Sequence, residues 1–210
     1  MKRIEVKNVS KKFRDQMVLK NVNLICEDGK VYGIVGHNGS GKTVLFKCIC
    51  GLLKADEGEI FVHNEKIGNT LAKNIGVIIE NPAFLDNYTG KKNLELLYML
   101  NHKKDPKMVE SYIRKVGLDP FSKKKVKEYS LGMRQRLAIA QALMDEPDLI
   151  ILDEPMNGLD KQGVQEIRTI LLERKKAGNT ILLASHNQKD IDVLCDEVYE
   201  MEEGVISKIR

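Results

Sequence analysis

The chain has 210 residues, of which 42% are apolar, 30% charged and 5% aromatic, and its formal net charge is +4. This length and composition exclude a disordered protein and predict one domain whose core needs neither disulfides nor metals. The small basic excess is not the clustered charge of a nucleic-acid binder, and no apolar run approaches the roughly 20 residues that cross a bilayer. The first residues, Met1 to Val6, alternate in polarity and form no apolar signal-peptide region, so we expect no export signal.

Four cysteines lack the CxxC spacing of a zinc site. In a chain without an export signal, reduced thiols in the cytosol are expected. The cysteines are Cys26, Cys48, Cys50 and Cys195.

The first third of the chain predicts strands, because β-branched and other apolar residues alternate with polar ones. A glycine-rich turn then precedes a helix, in which apolar residues from Val44 to Leu52 recur at helical spacing. The strands predicted here are 3–9, 18–26, 30–35, 59–62 and 74–79.

The middle of the chain changes to helical spacing after Asn81-Pro82, with breaks at Asp105-Pro106 and at Gly117. A further helix is expected to begin near Ser130, whose side chain is a suitable N-cap.

The end of the chain returns to alternating strands and helices. The pattern predicts a strand over 149–152, a helix over 162–175, a strand over 180–184, a short helix and two strands. Such an order predicts a parallel sheet covered on both faces, with its ligand site at the carboxyl ends of the strands.

A glycine-rich motif follows the third predicted strand and opens the first helix. It fits the pattern GxxxxGK[ST] in the strand–turn–helix context that this motif requires. Its glycines let backbone N–H groups turn toward phosphate oxygens, and the helix N-terminus adds a positive dipole end. Lys42 supplies a mobile positive charge and Thr43 a hydroxyl for Mg²⁺, which predicts a nucleoside triphosphate site. The motif residues are Gly36, His37, Asn38, Gly39, Ser40, Gly41, Lys42 and Thr43.

A second signal is an apolar strand that ends in two carboxylates, Asp153 and Glu154. Asp153 is placed to hold Mg²⁺, directly or through water. Glu154 is one residue further and points elsewhere, where it could polarise an attacking water as a general base. In isolation, an acidic loop after a core strand is an equally good interpretation, but beside a phosphate loop it is the minor one.

Two further pieces narrow the interpretation: the tract 130–136 before this strand, and His186 at the end of the next strand. With them, the chain resembles the ATP-binding subunit of ATP-binding-cassette (ABC) transporters over nearly its whole length. The marks of that family occur in order: an aromatic at Phe13, the Walker A loop at 36–43, the switch loop at Glu80, the signature at 129–133, the Walker B strand at 148–154, the D-loop at 157–160 and the switch histidine His186.

The resemblance implies an α/β P-loop NTPase fold of the ABC ATPase type, with a mixed sheet core, an antiparallel β subdomain and a helical insertion. It implies a single domain over 1–210. Within it, residues 1–81 and 147–210 would form the nucleotide-binding core with the β subdomain, and 82–146 the helical signature subdomain.

The resemblance also implies ATP and Mg²⁺ as ligands and assigns roles to named residues. Lys42, Glu80, Glu154 and His186 would be catalytic, and Thr43, Glu80 and Asp153 would hold the metal. The ATP-binding set would be Phe13, the loop Gly36 to Thr43, Val44, Ser130, Gly132 and Asp160.

The partners implied are a second copy of the chain and a separate membrane-spanning permease. Two copies would pair head to tail, each ATP lying between the Walker A loop of one and the signature of the other. Ser130 and Gly132 begin a helix, so a hydroxyl, N–H groups and a dipole end can face a phosphate. The permease would hold this cytoplasmic pair against the inner face of the cell membrane.

Two loops depart from the common pattern of the family. The signature reads Tyr129-Ser130-Leu131-Gly132-Met133 instead of Leu-Ser-Gly-Gly-Gln, and Glu80 stands where most members have Gln. Both resemble the bacitracin- and lantibiotic-resistance branch of exporters, so we expect an ATPase that powers export of an antimicrobial peptide, an antibiotic or another amphipathic compound. Leu131 should approach phosphate less closely than glycine would. Glu80 should bind Mg²⁺ or water more tightly than an amide, unless it is a plain exposed carboxylate.

Other interpretations stay open at this point. The alternative function is a soluble ABC-type ATPase that is not coupled to transport. A GTPase is disfavoured, because the chain lacks the Asn-Lys-x-Asp motif that reads the guanine base. Phe13 either stacks on adenine or fills the core. The run Lys123-Lys124-Lys125-Val126-Lys127 is either a solvated face or a contact for anionic lipid or a partner.

Overall fold

The computed structural model describes residues 1–68, 70–80 and 83–210. The strands are β1 (Lys2–Phe13), β2 (Gln16–Glu27), β3 (Val31–Val35), β4 (Glu57–Val62), β5 (Glu65–Ile67), β6 (Ile75–Ile78), β7 (Leu149–Asp153), β8 (Thr180–Ala184), β9 (Glu197–Glu202) and β10 (Val205–Lys208). The helices are α1 (Lys42–Ile49), α2 (Gly90–Tyr98), α3 (Pro106–Lys115), α4 (Leu131–Leu143), α5 (Lys161–Lys176) and α6 (Gln188–Leu194), with a 3₁₀ turn at Val126–Glu128.

The larger sheet has the strand order β10-β9-β3-β8-β7-β6. Its neighbours are parallel except for β10, which pairs antiparallel with β9. The central strands β7 and β8 are continuous apolar runs, as expected of parallel strands that are buried on both faces.

Side-chain alternation divides the core between the two faces of this sheet. Ile150 and Leu152 pack into a cluster with α4, α5 and α6, whereas Leu149 and Ile151 pack into a cluster with α1 and the smaller sheet. That smaller sheet is antiparallel, in the order β2-β1-β4-β5. The predicted fold, a mixed sheet with an antiparallel sheet and helices, is confirmed.

The helices between β6 and β7 begin at side-chain caps that the sequence contains. Thr89 Oγ1 accepts the N–H of Lys92 at 3.2 Å, and Asp105 Oδ1 accepts that of Met108 at 3.0 Å. The division of the chain into a core and a helical subdomain stays a prediction, and its boundary at Asn81 and Pro82 lies outside the described residues.

Some element bounds differ from prediction. The strand β5 has only three residues, too few to show a period, and was not predicted. Helix α1 ends at Ile49, before the expected Leu52, because Gly51 has φ +76°, the left-handed conformation that ends helices.

The four cysteines are free thiols and buried. Burial raises the pKa of Cys48 to about 11 and that of Cys50 to about 12. Within the described residues, no helix has the length and apolar character of a membrane span.

Candidate functional site

The candidate site lies at one edge of the larger sheet. Strands β3, β8, β7 and β6 are neighbours and run parallel, so the residues after their carboxyl ends meet there. A cleft of about 400 Å³ opens at this edge. Its lining residues are Val18, Asn38, Gly39, Gly41, Lys42, Thr43, Val44, Glu80, Gln135, Asp153, Glu154 and Asn157.

The glycine-rich loop from Gly36 to Gly41 has a backbone that two of its glycines make possible. Gly36 has φ +148° and Gly41 φ +112°, both in the region that other residues rarely adopt. A Cβ on Gly36 would lie 2.2 Å from the carbonyl oxygen of Met201, and one on Gly41 2.8 Å from that of Val18.

The side chain of Lys42 is held inside this loop. Its Nζ donates to the carbonyl oxygens of Gly36, at 2.7 Å, and His37, at 3.0 Å. His37 itself is exposed, and Ser40 is buried with no hydrogen-bond partner for its Oγ among the described residues. The loop therefore presents a positive charge at the floor of the cleft, where an anion would gain most from it.

Thr43 and Asp153 come together across the cleft. Thr43 Oγ1 donates to Asp153 Oδ2 at 2.5 Å, which joins the first turn of α1 to the tip of β7. In the described part of the chain, no three His, Cys, Asp or Glu side chains cluster as a metal site. Mg²⁺ in phosphate sites needs only one or two protein oxygens beside those of phosphate and water, so this pair fits that metal.

Glu154 is held in an unusual backbone conformation next to His186. Its φ is +51°, and its N–H donates to the carbonyl oxygen of Ala184 at 2.9 Å. Glu154 Oε2 lies 2.8 Å from His186 Nδ1. An ionised carboxylate only accepts hydrogen bonds, so when Glu154 is ionised the donor of this contact is Nδ1 of His186.

Gln135 is a site residue to which the sequence analysis assigned no role. It is buried on α4, lines the cleft, and its Nε2 donates to the carbonyl oxygen of Pro155 at 2.9 Å. This bond fixes the backbone directly after Glu154. The only feature of the sequence that pointed to Gln135 as a site residue was its place in the tract 130–136.

Glu80 also lines the cleft, but its side chain is paired with a residue outside the predicted set. Its Oε1 accepts from Lys47 Nζ at 2.7 Å, and its backbone has φ +58°. The neighbouring Asn81 and Pro82 of the predicted switch loop lie outside the described residues.

Seven predicted ATP-binding residues are not among those that line the cleft: Phe13, Gly36, His37, Ser40, Ser130, Gly132 and Asp160. The last three lie at the starts of two helices. Ser130 caps α4 and accepts the N–H of Met133 at 3.2 Å, and Asp160 caps α5 and accepts that of Gly163 at 2.7 Å. Gly132 packs so closely on the D-loop that a Cβ would lie 2.8 Å from the carbonyl oxygen of Gly158. Leu131, the first residue of α4, is 61% exposed.

Phe13 is 45% exposed, with Lys11 Nζ 5.5 Å from its ring centroid. The interpretation of Phe13 as a core residue is therefore wrong, and its role toward adenine stays a prediction. Val18, on the neighbouring strand, lines the cleft in its place.

Comparison with known proteins places these features in a family. The family model described as ABC transporter matches residues 19–157. An uncharacterised ABC transporter ATP-binding protein of Bacillus subtilis is 41% identical, over 96% of this chain and 93% of its own length. A bacitracin transport ATP-binding protein of Enterococcus faecalis is 40% identical over 96% of this chain and 67% of its length, and a lantibiotic transport ATP-binding protein of Streptococcus pyogenes is 36% identical over 97% and 88%.

Solved structures agree with these relatives. A dimeric, post-hydrolysis state of an ATP-binding cassette bound to ADP and phosphate aligns with a TM-score of 0.87 at 26% identity, covering 99% of both chains. A cassette of Clostridium perfringens, part of the ABC transporter complex cbiONQ, aligns with a TM-score of 0.83 at 30% identity, over 98% of this chain and 87% of its own.

Proposed function

Because the chain belongs to the ABC transporter family, as an ATP-binding subunit that hydrolyses ATP in transport, we propose that it powers the export of an antimicrobial peptide or another amphipathic compound. The relatives named for bacitracin and lantibiotic transport support this cargo class most directly. The replacement of Gln by Glu80 and the signature Ser130-Leu131-Gly132-Met133 support it from the residues.

We assign the binding of the triphosphate to the loop that already holds Lys42. The two carbonyl oxygens that now accept from Lys42 Nζ leave one of its three N–H groups for phosphate. Thr43 and Asp153 would hold Mg²⁺, which when bound supplies positive charge against the phosphate oxygens.

Glu154 is the proposed general base. As the oxygen of water bonds to the γ-phosphorus and the bond to ADP breaks, the carboxylate of Glu154 would take up the proton. Its backbone is fixed by Ala184 on one side and by Gln135 on the other, so the carboxylate is oriented before the substrate arrives. His186, 2.8 Å from Glu154, would contact the γ-phosphate and sense its loss.

We further propose that the active assembly is a head-to-tail pair docked on a separate permease at the cytoplasmic face of the membrane. Ser130 is exposed at the start of α4 and lies outside the cleft that holds Lys42. Its hydroxyl accepts one backbone N–H and keeps its own hydrogen to donate, so it suits a phosphate bound to a second copy. The dimeric form of the similar cassette supports such a pair.

The test is purification of the full chain from solubilised membranes of its own cells, followed by reconstitution with the membrane protein that it retains. We expect one membrane protein to co-purify with the chain in detergent, and bacitracin or a lantibiotic to stimulate ATP hydrolysis severalfold in proteoliposomes. Glu154→Gln is the control that should assemble without turnover. Failure to associate with any membrane protein, with hydrolysis indifferent to these peptides, would support a soluble ATPase not coupled to transport.

A further inference from the structure

A strip of lysines lies on the surface just before the signature. Lys123, Lys124, Lys125 and Lys127 are all exposed, while Val126 between them is fully buried. We call these four lysines, together with Phe121, the basic strip. Since Val126 anchors the segment in the core, the lysines on either side of it are held at the surface.

The backbone of the strip is fixed to the segment that leads from the switch loop into α2. Val126 N–H donates to the carbonyl oxygen of Tyr88 at 2.9 Å, and Lys127 N–H donates to that of Asp86 at 3.1 Å. Tyr88 is itself 47% exposed. The strip is therefore part of a defined surface, next to the segment that follows Glu80.

The charge of the strip is compensated only in part, by Glu128, whose Oε2 accepts the backbone N–H of Lys125 at 2.7 Å. Lysines elsewhere, such as Lys91 with Glu110 and Lys175 with Asp196, form ion pairs, but among the described residues none of the four strip lysines does. Residues 83–146 contain 13 basic and 8 acidic residues, whereas the whole chain carries only +4. The positive charge of the protein is thus concentrated in the part that carries the strip.

Phe121 adds an apolar group to this charge. Its ring is 63% exposed, with Lys91 Nζ 5.7 Å and the Arg114 guanidinium carbon 5.1 Å from its centroid. Basic clusters with exposed aromatic rings are suited to the headgroup region of anionic membranes, where the ring enters the interface and the lysines meet phosphate.

We propose that the basic strip contacts anionic phospholipid headgroups of the cytoplasmic leaflet when the subunit is docked on its permease. This rests on the proposed function, in which a permease holds the subunit at the membrane, since surface charge acts only over about 10 Å. Lipid is favoured over a protein partner because four exposed lysines without ion pairs among the described residues, beside one exposed ring, match the charge of a uniformly anionic surface.

The experiment measures co-sedimentation of the full chain with vesicles of phosphatidylcholine alone or mixed with phosphatidylglycerol. Each lysine near an anionic surface contributes about fivefold to partitioning. The variant with all four strip lysines changed to Gln should therefore lose roughly tenfold or more of its binding to the anionic vesicles. The control changes four other exposed lysines to Gln, Lys54, Lys73, Lys176 and Lys189, for the same change in net charge, and should bind nearly as wild type.

A second variant, Phe121→Ser, keeps the charge and should weaken binding most at high salt, where lysines are screened. Equal loss in the strip and control variants, or wild-type binding indifferent to phosphatidylglycerol, would overturn the proposal. So would a strip variant that binds anionic vesicles normally yet no longer co-purifies with the permease, since the strip would then contact protein. ATP hydrolysis without vesicles is measured in the same samples: if it persists while lipid binding is absent, the lipid proposal fails and the ATPase assignment stands.

Discussion

Thr43 and Asp153 are 110 positions apart in the chain, yet their side-chain oxygens lie 2.5 Å apart. Each residue was predictable alone, one from the phosphate loop and the other from the tip of an apolar strand. Their meeting follows from the sheet, because β3 and β7 both border β8 and end at the same edge. The pairing of Glu80 with Lys47 had no such signal, since Glu80 lies in a loop after β6 and Lys47 lies on α1.

The glycine loop allows a prediction at the scale of one methyl group. Gly36→Ala places a Cβ 2.2 Å from a backbone oxygen, so the loop must shift and ATP affinity should fall roughly tenfold or more. Gly39→Ala is the matched control: its φ is +84°, but apart from its chain neighbours no atom of the described residues lies within 4 Å of the added Cβ. It should cost only about 1–2 kcal/mol of folding free energy. Calorimetric ATP titration and urea unfolding of both variants measure this, and equal losses of affinity would contradict it.

Glu80→Gln tests the switch-loop carboxylate. We expect kcat to fall by roughly tenfold with KM for ATP changed less than about twofold, because an amide binds Mg²⁺ or water less tightly than a carboxylate. Lys47→Met removes only the ion pair at 2.7 Å and should leave kcat nearly unchanged. Steady-state hydrolysis by the assembled transporter checks both, and matching effects of the two variants would assign the role to the ion pair instead.

Phe13 and Val18 show where single residues escape sequence reasoning. Both are apolar residues of the first hairpin, and the sequence could not tell which one borders the cleft. The register of β1 against β2 shifts repeatedly, so the alternation of inward and outward side chains is not maintained along the hairpin. The exposure of Phe13 could therefore not be predicted from the alternation of apolar and polar residues along β1.

At the scale of elements, α5 and α6 are joined by a buried ion pair. Arg168 Nε donates to Asp190 Oδ1 at 2.8 Å, and Ser185 Oγ donates to Asp190 Oδ2 at 3.3 Å, directly before His186. Both charged side chains are nearly inaccessible to water. The pair links the helix that follows the D-loop to the turn that carries the switch histidine.

Breaking that pair should be costly. Asp190→Asn leaves the buried guanidinium without its counter-charge and should lower the free energy of unfolding by about 3–5 kcal/mol. The double variant Arg168→Met, Asp190→Leu removes both charges and should recover most of that loss. Urea unfolding measures both, and a double variant no more stable than Asp190→Asn would show that the charges themselves are required.

A second tie between elements depends on pH. Arg136 on α4 donates to Glu166 on α5 at 2.6 Å and holds the pKa of this carboxyl below its ordinary value of 4.5, with help from Gln162. A lowered pKa in the folded state means that the stabilisation is full above the ordinary value and is lost as the pH falls through the folded-state pKa. Because the pair is partly exposed, it is worth less than about 1 kcal/mol.

Glu166→Gln should therefore reduce the free energy of unfolding slightly at neutral pH and match wild type in acid, once the pH is below the lowered folded-state pKa of Glu166. Chemical unfolding of both proteins across this range is the measurement. A difference that stays constant with pH would mean that the charge of Glu166 contributes nothing through Arg136.

Elements with strong periods were the most predictable ones. β8 has the predicted bounds, 180–184, because five apolar or β-branched residues lie between polar ones. The three-residue strand β5 was not predicted, because it is too short to show a repeat and depends on packing. The early end of α1 was not predicted either, because it depends on one backbone angle, the φ of +76° at Gly51.

At the scale of the whole molecule, one chain supplies only one of the two sides of each ATP site in the proposed pair. Glu154→Gln should stop hydrolysis while keeping the binding residues, so ATP should convert the monomer into a dimer in size-exclusion chromatography. Adding Lys42→Ala to that variant should abolish the dimer by removing the charge in the loop. A Glu154→Gln variant that hydrolyses ATP at the wild-type rate would remove Glu154 from the catalytic role.

The contact between the signature and the D-loop has a consequence for how two such sites relate. A Cβ on Gly158 would lie 2.5 Å from Leu131 Cγ, so these loops touch without space between them. In the proposed pair, Ser130 closes the neighbour's pocket while the D-loop adjoins this chain's own Glu154. Loss of nucleotide from one of the two ATP sites should then change the other through this direct packing. We therefore expect the two sites to hydrolyse ATP simultaneously more often than alternately.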